Sequence, residues 1–189
     1  MNSIFTTALM LQRFCEERQW RFCFIGGVAV QRWGEPRVTQ DVDLTVLTGF
    51  GGEESYVEAL FQRFRDRSQL GMEVAIRRRV VLLETDTRIG IDVALGALPF
   101  EEQIMTRSTV FRFGEGLELR TCSAEDLVVM KALAGRDRDW LDVKGIVIRE
   151  GRNLHWPQVY SDLQPLCELG EKMDNLKALQ RLEQRLLKP

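Results

Sequence analysis

An α+β core followed by a helical part is the fold class this sequence predicts, and three observations predict it. Short apolar runs of strand type are interleaved with helical periodicity as far as about residue 122. From Ser123 onward every apolar pattern is helical, and no Pro/Gly/Ser-rich linker marks the change. The expected organisation is a mixed core over 1–122 and a helical subdomain over 123–189, packed on that core and not moving freely.

The elements follow in order. Ile4, Ala8, Leu11 and Phe14 or Cys15 recur near a 3.6-residue period, an opening amphipathic helix over 4–18. "RFCFIGG" is an aromatic and β-branched run stopped by two glycines, a buried strand. "VAVQRW" predicts a short helix ending at "GEP", where Gly34 and Pro36 interrupt regular structure. "DVDLTVL" predicts a strand with Val42, Leu44 and Val46 on one face and Asp41, Asp43 and Thr45 on the other. "SYVEALFQRFRDR" has Tyr56, Leu60, Phe61 and Phe64 at helical spacing.

Three strand-like runs come next, "MEVAI", "RVVLLETD" and "RIGIDVALG", and the short connections predict antiparallel pairing of the last two. A short helix introduced by Pro99 precedes "TVFRFGEGLELRT", a hairpin with "GEG" at its tip. Ser123 and Asp126 suit a capping box for a helix with Leu127, Met130 and Ala134 as its apolar stripe. A helix over roughly 138–150 would turn Leu141, Ile146 and Val147 inward, and two more are expected at 157–169 and 172–187.

Composition narrows the function classes. The chain of 189 residues, 44% apolar and 29% charged, is long enough to bury a core without a staple. With 26 basic and 28 acidic residues it has no global preference for nucleic acid, so any such contact is local. "RFRDR" (63–67) and "RRR" (77–79) are the candidate phosphate contacts, weighed against a solvated face or turn. Four scattered cysteines, without a C-x-x-C pair, read as buried free thiols. A lone histidine, His155 near a helix start, precludes a His-rich metal site. No apolar stretch approaches the length of a membrane span and no secretory signal opens the chain, so no membrane partner and a cytoplasmic location are expected.

The acidic residues carry the chemistry. Asp41 and Asp43, at i and i+2 of a strand, point the same way about 6–7 Å apart. Ionised carboxylates cannot be buried unpartnered, so that face must meet water, donors or a cation. Asp92 sits between Ile91 and Val93 in an otherwise apolar strand. If that strand neighbours "DVDLTV", the three aspartates form a trio able to hold two metal ions, the arrangement that clamps attacking and leaving oxygens at phosphorus. Gly26 and Gly27, between a strand and a helix start, would let backbone N–H groups approach a phosphate. The stretch 26–46 thus reads as a metal–triphosphate site.

In its order of strand, paired glycines, short helix, loop and D-x-D strand, "FIGGVAVQRWGEPRVTQDVDLTV" resembles the nucleotidyltransferase superfamily with the polymerase-beta-like palm fold. Within it the stretch is similar to the minimal nucleotidyltransferases related to the abortive-infection toxins of type IV toxin–antitoxin systems. The motif is filled by Gly26, Gly27, Arg37, Thr39, Asp41, Val42, Asp43 and Leu44, and Asp92 fits the third metal-binding carboxylate. "KALAGRDRDWLDV" resembles the helical motif of these proteins, with Lys131, Arg136, Asp139 and Asp142 in place. The resemblance covers about residues 20–145. Gly-Gly stands where classical members have Gly-Ser, which removes a hydroxyl donor and weakens the aminoglycoside-transferase reading most.

What the resemblance implies is a nucleotidyltransferase-type mixed sheet with flanking helices. It further implies a Mg²⁺-dependent transfer, with two ions expected, of NMP from an NTP to a hydroxyl acceptor, an RNA or tRNA 3′ end or a protein. Asp41, Asp43 and Asp92 would be catalytic and metal-binding. Gly26, Gly27, Arg37, Thr39 and Lys131 would contact the nucleotide, with Arg138, Asp139 and Asp142 supporting from the helical side. Toxin activity, with a cognate antitoxin as partner, extends the same likeness. Two other readings stay open at this point: an inactive nucleotide- or partner-binding module of the same fold, and a small-molecule (antibiotic) nucleotidyltransferase.

Overall fold

The structure is a computed structural model that describes residues 3–187, so the outermost residues of both expected segments (1–2 and 188–189) lie outside the described residues. The chain forms two compact units, one of residues 1–28 and 38–122, the other of 29–37 and 123–189.

The first unit is built on a seven-stranded mixed sheet. Its strands, β1 (Phe22–Phe24), β2 (Asp41–Leu47), β3 (Arg65–Asp66), β4 (Val80–Glu84), β5 (Gly90–Gly96), β6 (Thr109–Gly114) and β7 (Leu117–Thr121), lie in the order β3-β4-β5-β2-β1-β7-β6. β2 pairs with β5, and β1 with β7, in parallel. The remaining neighbours are antiparallel, including the expected β4–β5 and β6–β7 hairpin pairs.

Helices α1 (Ser3–Glu17), α3 (Glu53–Arg63) and α4 (Gly71–Arg78) share one apolar core with the sheet. Ile4, Ala8, Leu11, Phe14 and Cys15 of α1 are all buried, as their spacing requires. In β2, Val42, Leu44 and Val46 enter that core, which leaves Asp41, Asp43 and Thr45 on the opposite face. α5 (Pro99–Arg107) closes one end of that second face: Thr45 is buried, and a side chain at Gly96 would meet both Thr45 and Glu101. Asp41 and Asp43, at the other end, remain half-buried.

Two stretches differ in kind from their sequence pattern. Arg65–Asp66, read within the helix "SYVEALFQRFRDR", is strand β3, because the chain turns extended at Phe64 and pairs with β4. The second is a strand-like run that is helical. "MEVAI", read as a strand from the alternation of Met72, Val74 and Ile76, is helix α4. The turn before it decides the matter, because Asp66 accepts hydrogen bonds from the Ser68 amide at 2.9 Å and the Gly71 amide at 3.1 Å and so fixes the entry to a helix. Met72, Ala75 and Ile76, at i, i+3 and i+4, then face the core, and Arg79 closes the helix in a left-handed conformation with φ 54°.

The second unit holds the end of α2 (Gly26–Trp33), which begins in the first unit, together with α6 (Ala124–Ala134), α7 (Asp137–Glu150), α8 (Trp156–Leu169) and α9 (Met173–Leu187). Ser123 caps α6 by accepting from the Asp126 amide at 3.1 Å. α6 is more deeply enclosed than a stripe of Leu127, Met130 and Ala134 implies, since Val128, Val129 and Ala132 are fully buried and Ala134 is exposed. On α7, Ile146 and Val147 face inward as expected, whereas Leu141 is 69% exposed. Asp142 and Val143 take the inward positions beside it, and an inward Asp142 is affordable only because it is paired, as described below. His155 occupies the N-cap position of α8. All four cysteines are free and buried. No helix among the described residues is long and apolar enough to cross a membrane.

Candidate active site

The acidic residues of the first unit meet because β2 and β5 run parallel in a fixed register. Asp43 lies opposite Asp92, and Asp41 opposite Gly90. Opposed residues in neighbouring strands share a face, and so do i and i+2 within one strand, so Asp41, Asp43 and Asp92 project from the same side of the sheet. Burial pushes the Asp92 carboxyl up to about 6; Arg67 opposes this rise, and the negative charges of Asp43 and Asp41 add to it.

The paired glycines are explained by what touches them. Gly26 starts α2 with φ 53°, a left-handed value at which a side chain is strained, and a Cβ there would overlap the Asp43 carboxylate. A Cβ on Gly27 would overlap the Thr39 hydroxyl. The Gly27 amide donates to Asp43 Oδ2 at 3.2 Å, and the Ile25 amide donates to the Asp43 carbonyl at 3.0 Å. Thr39 in turn donates from its hydroxyl to the Asp41 carbonyl at 3.1 Å. Gly26, Gly27, Thr39, Asp41 and Asp43 are therefore one packed constellation, in which the start of a helix is pressed against the aspartate strand. Gly27→Ala is expected to cost about 1–3 kcal/mol, the usual penalty of overpacking, and to displace Asp43, as measured by urea denaturation alongside nucleotide transfer.

A residue that sequence reasoning did not place at the trio stands in the middle of it. Arg67 donates from Nη1 to Asp41 Oδ1 at 3.1 Å and from Nη2 to Asp92 Oδ1 at 2.5 Å. The only sequence signal was its membership of the basic run 63–67, whose other members go elsewhere: Arg63 lies over the Phe64 ring and Arg65 pairs with Glu84. In the second basic run, Arg79 pairs with Glu53 and donates to the Leu95 carbonyl, while Arg77 and Arg78 are exposed. Among the described residues no three His, Cys, Asp or Glu side chains stand in a ready-made metal cluster. Asp41 and Asp92 are spanned by a guanidinium, and Asp43 is engaged by the Gly27 amide.

The remaining motif residues lie in the second unit and form a buried ionic network. Asp142 receives both arms of Arg37, at 2.6 Å from Nε and 2.7 Å from Nη2, and Lys131 Nζ at 2.9 Å. Asp139 receives Lys131 Nζ at 2.8 Å and Arg136 Nε at 2.6 Å. Asp139, Asp142 and Lys131 are buried, and Arg138 is exposed at the start of α7. Burial works to raise both carboxyls, but the hydrogen bonds from Arg136 and Lys131 to Asp139, and from Arg37 and Lys131 to Asp142, outweigh it and hold both below the ordinary range.

The sheet and its carboxylate face define a nucleotidyltransferase-like protein. The fold matches an antigenic nucleotidyltransferase-like protein from Paracoccidioides brasiliensis at TM-score 0.55 and 16% identity, over 95% of this chain and 93% of that one. It also matches the solution structure of the antibiotic-resistance factor ANT(2″)-Ia at TM-score 0.52 and 16% identity, over 93% of this chain and 98% of that one. The family is narrower than the fold: residues 10–151 match the model of the nucleotidyl transferase AbiEii toxin of type IV toxin–antitoxin systems, and the chain belongs to that family. No curated protein matches it in sequence.

Proposed function

We propose that the protein transfers a nucleoside monophosphate from a nucleoside triphosphate to a hydroxyl acceptor, with release of pyrophosphate, in dependence on Mg²⁺. The observation that supports this most is the register of β2 and β5, which sets Asp41, Asp43 and Asp92 on one half-open face beside the paired glycines. The donor set suits a hard divalent cation: oxygen ligands only, partly open to water, in a place where a guanidinium already sits. Asp41, Asp43 and Asp92 are the residues that would hold Mg²⁺, which when bound supplies charge neutralisation at the triphosphate. Gly26 and Gly27 bring backbone close to that face, and Thr39 braces Asp41. No side chain need act as a covalent nucleophile, since transfer at phosphorus rests mainly on positioning and electrostatics.

The ionic network of Arg37, Lys131, Asp139 and Asp142 is assigned a supporting role within its own unit. For Lys131 the resemblance implies a contact with the nucleotide phosphates, and for Arg138 a supporting role. An RNA 3′ end is the acceptor we favour, with an antitoxin as the regulatory partner, in keeping with the toxin–antitoxin family. Incubation with each labelled NTP, Mg²⁺ and bulk tRNA is expected to label the RNA. Label found only on protein, or only on an added aminoglycoside, would overturn the RNA acceptor; none on any acceptor would overturn transfer itself. A separate expectation concerns binding: Mg²⁺ with ATP at about 100 times Kd adds about 2.7 kcal/mol, a rise of several degrees in Tm. A rise without transfer would mark a binding module.

A further inference from the structure

Arg67 is an unusual neighbour for a metal-binding trio, because it satisfies two of the three carboxylates with one side chain. Its placement is built rather than incidental. The Arg67 amide donates to the Leu82 carbonyl at 2.9 Å, which anchors the residue beside β4. Immediately before it, Asp66 gathers the Ser68 amide at 2.9 Å, the Ser68 hydroxyl at 2.6 Å and the Gly71 amide at 3.1 Å, so the turn that carries Arg67 is tied on both sides of that residue. Hydrogen bonds to Asp66 overcome its burial and keep it ionised below the ordinary range.

Space for the guanidinium is provided as well. Gly90 stands opposite Asp41 in the sheet, and a Cβ there would lie 2.6 Å from Arg67 Nη1 and would overlap the Asp41 carboxylate. Gly90 is therefore bare where the Asp41–Arg67 pair passes. The fork geometry also fits the task. One planar group presents two parallel donors, and each goes to a carboxylate on a different strand.

We propose that Arg67 is a resident counter-ion of the trio, holding Asp41 and Asp92 together in the metal-free protein and yielding them to a divalent cation. The inference rests on the proposed metal site. Its reasoning is electrostatic: three like charges on one face repel, one guanidinium relieves two of them, and a divalent ion that takes the same oxygens must first displace it. Arg67 is about one-third exposed, so the side chain has solvent to swing into.

The test is Mn²⁺ binding to the full-length, metal-free protein, followed by the loss of the free-ion electron paramagnetic resonance signal. Arg67→Met keeps much of the aliphatic stem and removes the charge. It is expected to bind Mn²⁺ about tenfold more tightly than the unmodified protein, one decade corresponding to the modest net worth of a partly exposed pair. The metal-free variant should also melt lower, and Mn²⁺ should raise its Tm by more than it raises that of the unmodified protein. Arg65→Met is the control: it removes a cation two residues away, on β3, that pairs with Glu84 instead of the trio, and it should leave Mn²⁺ affinity unchanged. Equal tightening in both variants would reduce the effect to general charge and overturn the proposal. Unchanged or weaker binding in Arg67→Met would overturn it too, showing Arg67 to be a brace that the metal site needs. Asp43→Asn separates the two levels: if Mn²⁺ binds all four proteins alike, or none, the metal site itself fails.

Discussion

The Asp43→Asn protein is expected to be folded and inert. Asparagine keeps the shape that the glycines pack against and retains an oxygen to accept the Gly27 amide, so the constellation of Gly26, Gly27 and Thr39 survives. What is lost is one of the negative charges that would face the proposed divalent ion. Removing about 4 kcal/mol of transition-state stabilisation slows a reaction by about 10³-fold, and a metal-binding carboxylate supplies energy on that scale. Stability should move the other way. In the metal-free protein Asp43 adds to the repulsion felt by Asp92, and neutralising it removes that strain, so the Tm of the variant should equal or exceed that of the parent. Labelled-nucleotide transfer and thermal melting, run on the same preparation, check both halves. Transfer within tenfold of the parent would refute the assignment of Asp43. If the protein is a toxin, growth arrest on expression should be relieved by the same substitution.

That constellation was legible in the sequence because it is local. The order of strand, glycine pair, helix and D-x-D lies within 26–46, and each piece constrains the next through i, i+2 alternation and the turn that glycines permit. Asp92 was legible for another reason, as a charge in an apolar strand. Its register opposite Asp43 was not, because pairing between segments 49 positions apart is set by tertiary packing. Arg67 was illegible for the same cause: its partners lie 26 and 25 residues away, and a basic run says nothing about which of its members turns inward. The misreading of α4 shows the limit of periodicity. Met72, Val74 and Ile76 alternate, yet the Asp66 turn selects the helical solution, in which Ala75 replaces Val74 as the buried residue. Leu141 failed differently. Hydrophobicity placed it inside, while the ionic network claimed the neighbouring position for Asp142.

That network supports the largest expected loss of stability. Asp142→Ala removes the carboxylate that receives both arms of Arg37 and shares Lys131 with Asp139. Lys131 stays buried with one partner in place of two, and the Arg37 pairing that ties residues 34–37 to α7 is gone. Breaking a buried pair from one side costs about 3–5 kcal/mol where the partner's charge is left uncompensated. With Asp139 still on Lys131 and Arg37 a quarter exposed, the loss is expected at the lower end of that range. Against a total of about 5–15 kcal/mol that is a severe loss. The acid response follows in sign. The folded-state carboxyls of Asp139 and Asp142 sit below their unfolded value of about 4, so their contribution is complete above that pH and disappears as the pH falls through the depressed folded values. Urea midpoints measured from pH 7 to pH 3 should therefore fall in acid for the parent and fall less for Asp142→Ala. Amide exchange should quicken at residues 34–37 in the variant, since Arg149 to the Gly34 carbonyl and the close approach of Glu35 to Gly145 are weaker ties than the Arg37 pairing. Equal urea midpoints for parent and variant at pH 7 would show that the network is energetically neutral, with the desolvation of its charges offsetting their attraction.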